Sequence, residues 1–280
     1  MSTAQYALPP TDISSVWQLR TPQSWYYSTI AYFFLMVFCM IAAQLDSRLL
    51  FDVSVWSKPF KFSLSLVAYF ATLIWCWNYT TEHFRRTTRA KVLIAIPTTM
   101  ALLEMVYITV QAGLGEASHF NLSTPYHAMM YSLMGFGAVC MVIAVAWLGI
   151  EIGISRGLRE PLIVAIVLGL VLTFVLGGGF GGYLGSAGGH WVNAPATDAN
   201  GTLLFNWTRQ GGDLRVAHFF GMHAMQVIPV FALLLVKVSP RVLSKNMATA
   251  CVVGFACAYT AWTTNTFFQA IQGQPFMAGL

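Results

Sequence analysis

Charge is what this chain has least of. Aspartate, glutamate, lysine and arginine together supply 9% of its 280 residues, while 57% are hydrophobic. A water-soluble domain with so few charges would have little to present to water, so a soluble fold is excluded and a polytopic membrane protein remains. Cysteine is scarce too. Cys39, Cys76, Cys140, Cys251 and Cys257 lie in apolar stretches with no CxxC pair. That removes a disulfide framework and a zinc knuckle, and leaves small core hydrophobes. Also missing are a phosphate loop, a nucleotide motif, a serine–histidine–acid order and the paired histidines of dihaem helices. Met1 to Trp25 lack the basic, apolar, small-residue succession of a cleaved signal peptide, so the first apolar span is expected to be retained. No internal repeat or heptad pattern appears, and a single domain over 25–280 after a cytoplasmic segment 1–24 is the simplest division. The net charge of +5 follows from topology and calls for no nucleic-acid partner.

What is present is apolar length. Windows near 25–45, 60–78, 92–113, 127–150, 160–179, 215–236 and 247–270 are each long enough to cross about 30 Å of hydrocarbon as a helix. The expected fold is an all-α bundle of seven transmembrane helices. The connections at 79–91, 151–160 (Arg156, Arg159) and 237–246 (Lys237, Arg241, Lys245) are short and basic. The positive-inside rule makes them cytoplasmic, which puts the N-terminus with Arg20 inside and the C-terminus outside. Loops 46–59, 114–126 and 180–214 then face out. The last of these begins glycine-rich, from Gly177 to Gly189.

Five of six histidines, His119, His127, His190, His218 and His223, fall on this outer side; His83 sits in a basic loop. Along the sixth window His218, Met222, Met225 and Gln226 share one helical face, whereas His223 is turned about 140° from His218. The two are therefore not the i, i+4 pair with which zinc hydrolases chelate from one helix. Each could equally hydrogen-bond a carbonyl or an acid across the bundle. Glu104 lies inside the third span, with Gln111 two turns further out on the same side and Tyr107 close to it. A carboxyl at that depth must face the bundle interior, a cation or a partner, as a ligand, a proton carrier or half of an ion pair. Lys58 and Lys61 run against the charge rule and suggest anionic partners: Asp46, Asp52, Asp213, a lipid phosphate or a ligand carboxylate. Asp213 and Arg215 either join that network or cap the sixth helix. The seventh window is polar in its outer half, from Tyr259 to Gln269.

Three segments carry a resemblance: Val55-Trp-Ser-Lys58-Pro-Phe-Lys61-Phe62, Ser118-His-Phe-Asn121, and Gly212-Asp-Leu-Arg215 running to His218-Phe-Phe-Gly-Met-His223-Ala-Met-Gln226. Together they resemble an uncharacterised family of multi-pass bacterial inner-membrane proteins. The resemblance implies an inner-membrane setting and brings no activity. The residues themselves point to a polar pocket opening to the extracytoplasmic side. One reading is a transition-metal or haem centre for redox or hydrolytic chemistry on a lipid-soluble or periplasmic substrate, with His119, His127, His218 and His223 as ligands and Glu104 as acid/base. Another is a transporter or sensor that binds an anion through Lys58, Lys61 and Arg215, with Asp213, Gln111 and Gln226 in the pocket. A third is a structural subunit among other membrane subunits. The lipid bilayer is the partner common to all three.

Overall fold

The computed structural model describes residues 21–238 and 243–276. The segment with Arg20, and Arg241 of the last basic loop, lie outside the described residues. Seven helical spans are long and apolar enough to cross a membrane: α1 (Gln23–Leu45), α2 (Ser57–Trp77), α4 (Thr88–Leu114), α5 (Pro125–Arg156), a composite span Pro161–Ser186, α8 (Arg215–Val238) and α9 (Lys245–Ile271). One turn, α3 (Glu82–Arg85), sits between α2 and α4. The spans alternate in direction. Loops 46–56, 115–124 and 187–214 gather at one end of the bundle, the long-loop end. The chain is a multi-pass membrane protein with an all-α core.

Helix ends are set by polar caps that a hydropathy window does not register. Thr87, Thr124 and Ser244 accept hydrogen bonds from the backbone N–H of Ala90, His127 and Met247, fixing the starts of α4, α5 and α9. Pro125 and Pro161 open their helices at positions where a missing N–H costs nothing. Gly115, at φ 76°, ends α4 in the left-handed conformation that glycine adopts without strain. Most spans consequently run two to six residues beyond the apolar windows.

The composite span departs most from expectation. The apolar window ends at 179 and the sequence predicts a loop from 180, yet helix continues to Ser186. It comprises α6 (Pro161–Leu172), a π-helical segment Thr173–Gly178 and α7 (Gly179–Ser186). Glycine is a poor helix former in water, but here its missing side chain lets two backbones meet. A Cβ on Gly177 would lie 3.1 Å from the backbone N of Met222, and one on Gly221 would lie 2.6 Å from the backbone N of Gly177. Close small-residue contact of this kind holds membrane helices together where lipid offers no hydrophobic drive.

The principal core joins Trp25, Phe70, Leu73, Leu93, Met105, Ile108, Leu148, Ile152 and Ile166, all nearly inaccessible. Trp25 ties α1 to the bundle: its indole meets Trp77 edge-on at 5.4 Å and donates to the Ile94 carbonyl at 3.1 Å. Outward-facing Phe33, Phe34, Leu102, Leu103, Val106, Phe136 and Leu234 leave the periphery apolar, as a lipid solvent requires. At the long-loop end two short hairpins close the structure. Strand β1 (Leu49–Leu50) pairs with β2 (Val53–Ser54), and β3 (Trp191–Val192) pairs with β4 (Gly212–Asp213). The first hairpin turns through Phe51 and Asp52, both at positive φ. Phe51 is held there by an edge contact with Trp191 at 5.2 Å and by accepting the Asp198 N–H at 2.9 Å.

Candidate functional site

Two polar networks occupy the long-loop end, and they differ in how completely their hydrogen bonds are made. The first anchors the 187–214 loop. Arg215, at the start of α8, donates from Nε and Nη2 to Asp213 at 2.9 and 2.6 Å, from Nη1 and Nη2 to Asp198 at 3.2 and 2.8 Å, and from Nη2 to the Asn206 carbonyl at 2.8 Å. Asp213 also accepts the N–H groups of Arg215 and Thr208, and Asp198 pairs with His190 at 3.2 Å. Burial would raise the Asp198 carboxyl, but the His190 hydrogen bond and the Arg215 charge bring it down to about 2. Burial outweighs Asp198 at His190, and its imidazole titrates below the ordinary range. Every nitrogen of the Arg215 side chain is engaged. Asp213 thus takes the N–H of the first α8 residue and, with Arg215 and Asp198, forms a latch for the loop that occupies all three guanidinium nitrogens. Lys61 is similarly occupied, donating to the Phe205 carbonyl and Asn206 Oδ1 at 3.2 and 3.1 Å.

The second network is only half made. Glu104 lies on the inward face of α4 with Ala101, Met105 and Ile108, ten residues before Leu114, or about 15 Å from that end. Its Oε1 stands 3.7 Å from Nε2 of His119, and the two side chains keep 12% and 20% exposure. That separation is an ion-pair distance, too long for a hydrogen bond. His119 comes from the loop after α4; its Nδ1 meets the Ser118 hydroxyl at 3.2 Å, and its ring packs against Phe62 and Tyr131. Burial holds this imidazole well below the ordinary histidine range, with the charges of Lys58 and His218 pushing the same way. Lys58, in the first turn of α2, interacts electrostatically with Glu104. Its ammonium lies 6.0 Å from the Phe62 ring centre and has no hydrogen-bond or ion-pair partner among the described residues. Tyr32 of α1 also senses Glu104.

Deeper along α8, His218 and His223 each use one nitrogen. His218 Nδ1 bonds the Gly177 carbonyl at 2.9 Å. Gly181 leaves room for that ring, since a Cβ there would lie 2.7 Å from it. His223 Nδ1 bonds Gln226 Oε1 at 3.2 Å, and Gln226 Nε2 donates to Thr72 Oγ1 of α2 at 3.0 Å.

The four histidines expected around one ion do not form one group. His127 is spent on local partners, with Nε2 3.0 Å from Glu116 and Nδ1 2.8 Å from Thr124, because it sits in the capped first turn of α5. Among the described residues no set of three or more His, Cys, Asp or Glu is placed to hold a metal ion. Gln111 is buried with its Oε1 unpartnered and is bonded neither to Glu104 nor to a histidine. Asp46 pairs with Arg48 at 2.7 Å, and Asp52 accepts from Thr197 at 2.6 Å, so neither serves Lys58. The residues that sequence reasoning missed are Thr72, Tyr32 and the Gly177 carbonyl. None carries a signal on its own, since threonine and tyrosine are ordinary in membrane helices. Comparisons with family models, curated proteins and solved structures find no match.

Proposed function

We propose that the protein is a bacterial inner-membrane transporter or sensor. It binds a small anionic ligand from the extracytoplasmic side at Lys58, and the Glu104–His119 pair exchanges a proton with that ligand. The observation that carries this reading is the contrast between the two networks. Polar groups held among apolar neighbours are costly unless partnered. The Arg215 latch meets that demand in full, as a scaffold does. Lys58 has no hydrogen-bond or ion-pair partner among the described residues, and Glu104 approaches His119 no nearer than 3.7 Å. An ammonium left open beside a carboxyl and a neutral imidazole suits an anion that arrives with, or gives up, a proton. This narrows the anion reading from three cations to Lys58. It is favoured over a metal or haem centre because the donors expected for an ion are spread over separate partners.

The test uses full-length protein in detergent, melted with succinate or inorganic phosphate against chloride at equal ionic strength. Ligand at 100 times its Kd adds about 2.7 kcal/mol to the bound state, which a melting curve resolves. A saturable upward shift that Lys58→Met abolishes, with proton uptake or release on binding that Glu104→Gln abolishes, is the expected result. No shift with either anion in the wild type, or a shift unaffected by Lys58→Met, refutes the reading.

A further inference from the structure

The hydrogen bonds around His218 and His223 decide which nitrogen of each ring carries the proton. The reasoning starts from acceptors that cannot change role. The Ala68 carbonyl only accepts, and Thr72 Oγ1 lies 2.7 Å from it, so the threonine proton is committed to that bond. Toward Gln226, Thr72 can then act only as an acceptor. The Gln226 amide must turn its NH₂ to Thr72, at 3.0 Å, and its carbonyl oxygen to His223. An amide oxygen only accepts, so His223 Nδ1 must carry a hydrogen. His218 reaches the same state more directly, because its Nδ1 faces the carbonyl of Gly177. Neither Nε2 has a hydrogen-bond partner among the described residues.

We infer that His218 and His223 are paired neutral imidazoles locked as Nδ1–H tautomers, that their bare Nε2 atoms are the proton acceptors of the buried site, and that Gln226 and Thr72 are positioning residues for His223. The ligand group they take is an O–H or N–H donor, or a proton itself. Loading a proton on either Nε2 breaks none of the existing bonds, because Nδ1–H continues to donate as before. A base that charges without rearranging its neighbours suits a tightly packed seam, where Gly177 and Gly221 bring two backbones into contact. The lock comes from three helices at once. The relay of His223, Gln226, Thr72 and Ala68 crosses from α8 to α2, and the composite span supplies the Gly177 carbonyl. Gln226 is 11 residues from the start of α8 and so about 16 Å along it. The acceptors therefore reach deeper than His119. This inference rests on the proposed site for the purpose of the two bases, but not for their tautomers.

The experiment is nitrogen-15 NMR of histidine-labelled full-length protein in lipid bilayers, without added ligand. Resonances are assigned through His218→Gln and His223→Gln. In the wild type at neutral pH both rings are expected as Nδ1–H, the minority tautomer of free histidine. Thr72→Val frees the Gln226 amide to turn over, and an Nε2–H population should appear at His223 alone. Thr72→Ser, which keeps the hydroxyl, should restore the wild-type signal. An unchanged His218 resonance reports that each variant is folded, so a loosened structure is not mistaken for a tautomer change. His223 found as Nε2–H in the wild type, or left as Nδ1–H in Thr72→Val, overturns the inference. Failure of the anion-binding test with intact Nδ1–H tautomers would remove the proposed function and leave the lock standing.

Discussion

Removing a cation from each of the two networks should have opposite consequences. Arg215→Met deletes a side chain that is 22% exposed and leaves Asp198 and Asp213, 9% and 0% exposed, facing each other without their counter-ion. Breaking a buried ion network from one side costs about 3–5 kcal/mol, because the stranded charge keeps its desolvation penalty. At roughly 2–4 °C of melting temperature per kcal/mol, the loss should be on the order of 10 °C. Arg215→Lys should recover only part of it, since an ammonium cannot fork to two carboxylates and a carbonyl together. Lys58→Met removes a charge with no bonded partner among the described residues, so the variant should melt within a few degrees of the wild type or above it, as expected where a binding group is held at a cost to stability. The measurement is thermal unfolding in detergent by intrinsic fluorescence, with proteolysis of the 187–214 loop as a local readout. If Lys58→Met proves as damaging as Arg215→Met, or if Arg215→Met is silent, the distinction between a satisfied scaffold and an open site is wrong.

Stability should also fall with acid in two stages. His119 and His190 titrate below the ordinary histidine value, so the unfolded chain binds protons that the folded one refuses. Their effect is absent above about pH 7, and stability declines as pH drops through about 6.5, by at most about 1.4 kcal/mol per unit of depression. Asp198, held near 2, contributes stability that is complete above about pH 4 and is lost only as pH falls toward 2. Melting curves between pH 8 and 4 check the first stage, which His190→Asn should flatten. Gly221→Val should separate α8 from the composite span and cost about 1–3 kcal/mol or more, read in the same assay. For topology, a cysteine placed at residue 200 should react with an impermeant reagent added to intact cells and one at residue 88 should not; the reverse pattern would invert the orientation.

The seven spans were legible because hydrocarbon thickness imposes one demand, apolar length, and the sequence meets it seven times. Their ends were less so. Thr87, Thr124 and Ser244 define them through single hydrogen bonds, and a glycine-rich run that reads as loop is helix to Ser186 because its neighbour is another backbone. Glu104, Lys58 and His119 stood out in the sequence as an expense: ionisable groups set where they are costly. Their grouping was not, since the residues that meet come from three elements separated by dozens of positions. Arg215 misled for the same reason, because its partner Asp198 lies 17 residues away in a loop with no periodicity to follow. His127 looked equivalent to His119 in sequence. One capped turn of helix gives it Glu116 and Thr124 as partners instead.

The π-helical segment has a bearing on how such chains can change length. A π turn holds one residue more than an α turn, so Thr173–Gly178 is a place where a residue can be lost without opening a gap. Deleting one residue there would shorten a span of 26 residues that needs only about 20 to cross hydrocarbon, and insertion into the membrane would survive. The wide turn would relax to an α turn, and the helix beyond it would keep its heading, because the extra residue is taken up within the turn itself. The change would fall on the turn itself, which now offers the Gly177 carbonyl to His218, while Gly181 would keep its place against that ring. In this span the residue count therefore acts as a setting, separable from the ability to sit in a bilayer, and two chains differing by one residue here could share a topology while presenting different chemistry at the long-loop end.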